Sequence, residues 1–121
     1  MYGYGYSPAF NRNNGTVLDP GYDIIVLGGQ SNAYSGTTKD ALIDVYPAKC
    51  YQLGGYLTDN NIIIPADEPI DNYLTRSTGA IGPMCTFVQD YINNGHLKAE
   101  RDILIVAGAL SGAGFSDNRW N

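Results

Sequence analysis

A serine with glycine and asparagine neighbours is the residue of this chain best suited to covalent chemistry. It is Ser31, within Gly28-Gly29-Gln30-Ser31-Asn32-Ala33. Small neighbours leave the hydroxyl exposed and let the backbone turn sharply, as a serine nucleophile requires if its own N–H is to face a developing oxyanion. The same residue types are also common in ordinary turns. The spacing alone leaves a nucleophile and a plain turn both open.

A second glycine-rich segment lies near the other end of the chain, at Gly108-Ala109-Leu110-Ser111-Gly112-Ala113-Gly114. Like Gly28, it directly follows a short apolar run. Segments that leave the carboxyl ends of neighbouring parallel strands meet in one crevice. We therefore expect a backbone N–H of this segment to reach the neighbourhood of Ser31.

The two apolar runs have the pattern of buried strands. Asp23-Ile24-Ile25-Val26-Leu27 and Ile103-Leu104-Ile105-Val106-Ala107 are continuous, β-branched and bounded by turn residues, which is typical of strands covered on both faces. Between them lies one amphipathic segment, which predicts a helix. Pro83 stands at its first turn, apolar residues recur at helical spacing, and Gly95 ends it. The order strand, helix, strand predicts an α/β protein with parallel strands joined by crossovers.

The middle of the chain is less distinct. Residues 49–53 and 61–65 each have the composition of a short strand, and 59–61 and 66–69 have the composition of turns. Whether these two segments join the main sheet is open at this level.

A serine nucleophile needs a general base, which is usually a histidine held by a carboxylate. The only histidine is His96, on the connection that leads into the second strand. That connection lies at the amino end of a parallel sheet, about 15 Å or more from Ser31 across a five-residue strand. We therefore expect His96 to be a surface loop residue. Asp117 either faces the crevice or belongs to a turn, and Asp67, Glu68 and Asp71 are expected to be solvated loop charges.

The first 22 residues differ from the rest in composition. Tyr2, Tyr4, Tyr6 and Tyr22 alternate with glycines, and Pro8 and Pro20 interrupt the segment, which predicts no regular element. Two interpretations stand: a disordered tail, or a docking arm that orders on a protein partner.

Length and charge limit the remaining possibilities. A chain of 121 residues forms one domain at most, and its net charge of −5 is opposite to that of a nucleic-acid or anionic-membrane binder. No apolar run is long enough for a membrane helix, and the N-terminus lacks the pattern of a signal peptide. Cys50 and Cys85 are either free buried thiols or one bridge, and without further ligands we expect neither a metal nor a cofactor.

Three collinear stretches resemble the SGNH hydrolase superfamily, in its carbohydrate O-acetylesterase branch, which includes sialate O-acetylesterases and acetylxylan esterases. Gly29-Gln30-Ser31-Asn32 contains the Gly-Gln-Ser-Asn block of that branch, and Gly82-Pro83 is similar to its Gly-Pro before the next helix. The stretch from Val106 to Trp120 resembles the block around a Gly-Gly-Thr, which is replaced here by Ser111-Gly112-Ala113. The resemblance runs from about Asp23 to the last residue.

The resemblance implies a three-layer, flavodoxin-like parallel sheet, of which residues 23–121 are the N-terminal portion and residues 1–22 a preceding arm. It implies that Ser31 is the nucleophile, that the N–H groups of Ser31 and Gly112 form the oxyanion hole, and that Gln30, Asn32 and Ser111 line the site. The implied substrate is an acetylated carbohydrate. The Asp-x-x-His pair and the Trp-His-Gln-Gly-Glu block of the family have no counterpart in these residues.

Two functions follow as hypotheses. The chain is either an O-acetylesterase-like protein whose base comes from further sequence or from a second polypeptide, or a non-catalytic structural or interaction subunit of a larger assembly such as a virus particle. In the second case the tyrosine-rich arm is the expected contact to the protein partner.

Overall fold

The computed structural model describes residues 12–13, 16–29, 37–55, 59–70 and 80–108. These residues form eight strands and one helix, of which four strands make the main sheet. In chain order the elements are β1 (Arg12–Asn13), β2 (Thr16–Val17), β3 (Gly21–Leu27), β4 (Thr37–Thr38), β5 (Cys50–Leu53), β6 (Ile63–Pro65), β7 (Ala80–Ile81), α1 (Met84–Asn93) and β8 (Arg101–Ala107).

The main sheet has the order β3-β8-β5-β6. β3 and β5 both pair with β8 in parallel, and β6 pairs with β5 antiparallel. The prediction of an α/β protein with parallel β3 and β8 is confirmed. The two segments left open in the middle of the chain are strands, and both join the main sheet. Two small antiparallel ribbons, β1 with β2 and β4 with β7, accompany it.

The helix begins and ends where the sequence predicts. Pro83 is its N-cap residue, Met84, Cys85 and Val88 are its buried residues, and Gly95 follows its C-cap with φ +76°. The Gly95 N–H donates to the carbonyl of Ile92 at 2.9 Å. A residue with a side chain is strained at this φ, so glycine ends the helix here at little cost.

The core lies between α1 and one face of the sheet. It consists of Leu27, Cys50, Ile70, Met84, Val88, Ile103 and Ile105, and the last three are fully buried. Ile103 and Ile105 alternate with half-buried residues along β8, so the strand turns one set of side chains toward the helix.

The prediction that β3 is buried on both faces is wrong. Its residues Ile24 and Val26 are 64% and 71% exposed, while Leu27 is buried. The physical reason is that β3 lies at the end of the described sheet and that α1 packs on only one of its faces. The described elements thus form one sheet layer and one helix layer.

The N-terminal segment also differs from its prediction of no regular element. Two short strands, β1 and β2, lie within the first 22 residues, and β3 begins at Gly21, so that Tyr22 belongs to the sheet. The backbone of Arg12–Asn13 pairs with that of Thr16–Val17, and this pairing forms strands although the composition of the segment favours turns. Residues 1–11, with Tyr2, Tyr4 and Tyr6, lie outside the described part of the chain.

Candidate functional site

The two strands that precede the glycine-rich segments end side by side. β3 and β8 are paired in register over their whole length, from Gly21 opposite Arg101 to Leu27 opposite Ala107. The next residue, Gly108, donates its N–H to the carbonyl of Leu27 at 2.9 Å. The segments that begin at Gly28 and Gly108 therefore leave the sheet next to each other, at the carboxyl ends of β3 and β8.

The chain turns immediately after β3. Gly29 has φ +130°, a conformation that residues with side chains rarely adopt. The glycine directly before Gln30 thus has a local conformational reason. Ser31, its neighbours Gln30 and Asn32, and the second group Ser111, Gly112 and Asp117 lie outside the described residues, so their roles stay predictions.

An apolar groove opens beside the carboxyl end of β3. Its volume is about 230 Å³, and its walls come from the last residues of β3 and the first turn of α1. It is lined by Ile25, Val26, Leu27, Pro83, Met84 and Phe87. A groove of this size and lining accepts a small apolar group and has no titratable side chain among its lining residues.

His96 lies where the sequence predicts, at the opposite end of the sheet. It is exposed, follows α1 and packs beside Tyr91, with 5.4 Å between the ring centroids. The Tyr91 hydroxyl donates to Asp23 Oδ2 at 2.8 Å, and Asp23 is the third residue of β3. The four steps along β3 from Asp23 to Leu27 span about 13 Å. His96 therefore belongs to the amino end of the strands, far from the edge that leads to Ser31.

The same end of the sheet carries a cavity of about 450 Å³, lined by Phe87, Asp90, Tyr91, Asn94 and His96. Close by, Arg101 donates through Nε to Asp23 Oδ1. The hydrogen bond from Arg101, assisted by that from Tyr91, lowers the pKa of Asp23 below its ordinary value of 3.8. The ion pair between Arg101 and Asp23 lies at the amino end of the strands, and its two charged groups are already paired with each other.

A polar network that the sequence did not predict lies on the helix-facing side of β5. Glu68 is only 5% exposed, although the sequence predicts a solvated loop charge. Its Oε1 accepts a hydrogen bond from the Tyr46 hydroxyl at 2.7 Å, and its Oε2 accepts one from the Ile70 N–H at 3.2 Å. The prediction is wrong for Glu68 because these two donors replace water. It is confirmed for Asp67, whose side chain is 74% exposed, and Asp71 lies outside the described residues.

Burial governs the electrostatics of this network. It raises the pKa of Glu68, although the hydrogen bonds from Tyr46 and Ile70 work in the opposite direction. Lys39 bridges to Asp67 Oδ1 at 2.7 Å and to the Glu68 carbonyl at 3.3 Å. Each carboxylate oxygen of Glu68 has a donor, so the carboxylate joins Tyr46 to the segment that contains Glu68 and Ile70, and Lys39 is held to the same segment through the Glu68 carbonyl.

Both cysteines are buried and free, which decides between the two predicted states. Burial raises the pKa of each thiol to about 11, so neither is a nucleophile at neutral pH. Within residues 12–13, 16–29, 37–55, 59–70 and 80–108 no three His, Cys, Asp or Glu side chains are grouped as metal ligands. No helix of this described part is long and apolar enough to cross a membrane.

Comparison with known proteins adds no relative. No protein-family model, no curated protein and no solved structure matches the chain.

Proposed function

We propose that this chain is the nucleophile-bearing part of an SGNH-type carbohydrate O-acetylesterase-like domain. The observation that supports the proposal is the hydrogen bond from the Gly108 N–H to the Leu27 carbonyl, which joins the ends of β3 and β8. A serine four residues beyond Leu27 and a glycine four residues beyond Gly108 start from one place on the sheet. This is the placement that a nucleophile and an oxyanion donor on neighbouring strands require.

The proposed fold is the three-layer, flavodoxin-like sheet. In such a sheet the first parallel strand lies between the second and the third. Here the parallel strands in chain order are β3, β5 and β8, and their spatial order is β3-β8-β5, so the third lies between the first and the second and the described strands depart from that arrangement. The edge of β3 that faces away from β8 has no partner in the described sheet order, and a further strand of the proposed fold would pair there.

The proposed reaction is acyl transfer to serine. Ser31 Oγ attacks the acetyl carbonyl carbon while its proton passes to a base, and the N–H groups of Ser31 and Gly112 stabilise the oxyanion. The tetrahedral intermediate collapses, the sugar hydroxyl leaves with that proton, and water then releases acetate from the acetylated serine. His96 is at the wrong end of β3 to act, so the base comes from outside these 121 residues. A parallel strand added at the open edge of β3 would place its carboxyl end next to Leu27, four residues before Ser31.

Imidazole in solution can stand in for the missing base, and this makes the 121-residue chain testable as it is. We expect the folded chain, incubated with 4-nitrophenyl acetate and imidazole, to become acetylated on Ser31, as read by mass spectrometry of the tryptic peptide. Ser31→Ala should remove the acetyl group, and Ser35→Ala, four residues away in the same segment, should leave it. Equal acetylation of Ser31 and Ser35, or labelling that survives unfolding in urea, would contradict the proposal.

A non-catalytic interaction subunit is the second candidate function, and it is favoured by the seven-residue β3, which is an edge strand in the described part of the sheet. Edge strands present unpaired N–H and C=O groups that accept a strand from another chain. In this case Ser31 gains no acetyl group beyond the level of Ser35, and the same assay separates the two functions.

A further inference from the structure

The cavity of about 450 Å³ at the amino end of the strands combines aromatic rings with a carboxylate. Phe87, Asp90, Tyr91 and the C-cap residue Asn94 line it, and their helical spacing places them on one side of α1. His96 completes the lining from the loop that follows the helix. The last turns of α1 and the residues directly after it therefore build this cavity.

Three rings lie in a row at the cavity. Phe87 and Tyr91 are stacked, with 6.2 Å between their centroids and 26° between their planes, and the His96 ring lies 5.4 Å from that of Tyr91. The Tyr91 ring is held in place because its hydroxyl donates to Asp23 Oδ2 at 2.8 Å. Phe87 is 51% exposed, so a molecule in the cavity has access to its ring. The electron-rich faces of phenylalanine and tyrosine rings attract cations.

The carboxylate of Asp90 has no counter-ion among the residues that the structure describes. Their ion pairs engage other carboxylates, namely those of Asp19, Asp23, Asp67 and Asp102. Arg101 lies close by, but it is already paired with Asp23 and, at 3.3 Å, with Asp19. Asp90 is also exposed, so its negative charge is available to a ligand in the cavity.

The end of α1 adds to the negative potential at this place. Aligned peptide dipoles give the C-terminal end of a helix about half a negative elementary charge, which favours cations within the last turn. The last turn of α1 contains no basic residue to use this potential. The net charge of −5 on the whole chain also favours the approach of a cation.

We propose that this cavity binds an organic cation of the alkylammonium class. The charged head group lies against the rings of Phe87 and Tyr91 and faces the Asp90 carboxylate. A bare metal ion fits less well, because hard cations take several oxygen ligands and no three His, Cys, Asp or Glu side chains of the described part of the chain are grouped for one. The inference does not rest on ester hydrolysis, and its test is separate from acetylation of Ser31.

Titration with choline, followed by NMR, tests the site in the unmodified chain. We expect saturable shifts of the Asn94 side-chain amide and the His96 ring, with a Kd in the millimolar range and no such shifts with sodium chloride. Neohexyl alcohol, in which carbon replaces the choline nitrogen, is the matched uncharged ligand and should bind at least several-fold more weakly. The amide of acetylated trimethyllysine carries the same head group, and its affinity relative to choline distinguishes a protein side chain from a free cation. Absence of saturable shifts, or equal binding of choline and neohexyl alcohol, overturns the proposal.

Two variants separate the carboxylate from the ring. Asp90→Asn keeps the shape and removes the charge, and Phe87→Leu keeps an apolar side chain and removes the aromatic face. Each should weaken choline binding about two- to fivefold, with an unchanged far-UV circular dichroism spectrum. Asp67→Asn is the control, because it removes the same charge from an exposed side chain that does not line the cavity, and it should leave the affinity as it is. Equal weakening by Asp67→Asn and Asp90→Asn, or unchanged binding in Phe87→Leu, overturns the proposal.

Discussion

The Gly108 N–H donates a hydrogen bond of 2.9 Å to the carbonyl of Leu27, one residue beyond the end of β8 and at the last residue of β3. This contact continues the parallel ladder past Ala107 and places the two glycine-rich segments side by side. Leu27 and Gly108, which are 81 positions apart in the sequence, therefore lie next to each other at the carboxyl end of the parallel strands.

Two substitutions of Gly108 distinguish the contribution of its N–H hydrogen bond to stability from the effect of adding a side chain. Gly108→Pro removes the N–H and leaves the Leu27 carbonyl without its donor, so we expect the free energy of unfolding to fall by about 1 kcal/mol. Gly108→Ala is the control, because an added Cβ meets no atom within 4 Å, and it should change stability by less than about 0.5 kcal/mol. Urea unfolding measures both. Equal losses in the two variants would show that the hydrogen bond contributes nothing.

Tyr46→Phe tests the buried Glu68 network. It removes the donor to Glu68 Oε1 and leaves a buried acceptor unpaired, which should cost about 1–3 kcal/mol at pH 7. The remaining carboxylate is harder to ionise, so the pKa of Glu68 should rise further. The folded-state pKa of Glu68 lies above its ordinary value of 4.5, so the free energy of unfolding falls as pH rises from 4.5 to the folded-state pKa. This fall should be larger in Tyr46→Phe than in the wild type.

The control for this variant is Tyr22→Phe, whose tyrosine is 37% exposed and makes no contact with Glu68. We expect its unfolding curve to follow the wild-type curve at every pH. If Tyr46→Phe also kept wild-type stability between pH 4 and pH 7, the network would have no energetic role.

Asp23→Asn tests the ion pair at the amino end of the strands. The hydrogen bond from Arg101 lowers the pKa of Asp23, so its contribution to stability is present above the ordinary value of 3.8 and is lost as pH falls through the lower folded-state value. The variant should therefore melt below the wild type at pH 7, and the difference should shrink in acid.

The matched substitution is Asp90→Asn, at an exposed carboxylate on the nearby helix. Thermal melts from pH 2 to pH 7 should show little change for it. A deficit of Asp23→Asn that stays constant across this range would assign the loss to packing and not to charge.

Local sequence was sufficient to predict the main elements, because their signals act over a few residues. The β-branched runs became β3 and β8, and the helix spans Met84–Asn93 between the predicted Pro83 and Gly95. The remote position of His96 was also predictable, since a crossover to a parallel strand must return to the amino end of the sheet.

The burial of Glu68 was not predictable from the same sequence. Its donor Tyr46 is 22 positions away, and no spacing rule links the two. Glu68 and Asp67 are adjacent in the sequence, yet Glu68 is buried with Tyr46 and the Ile70 N–H as donors, whereas Asp67 is exposed and pairs with Lys39.

The sequence by itself determined where β3, β8 and the helix form, and it marked Ser31 as the residue to examine, because propensity, apolar period and motif are properties of neighbouring residues. Only the tertiary structure decided that β3 lies at the end of the sheet with Ile24 and Val26 exposed, and that Leu27 and Gly108 are joined. Strand order and register are set by contacts between distant segments. A run of β-branched residues is compatible with a central strand or an edge strand until those contacts are made.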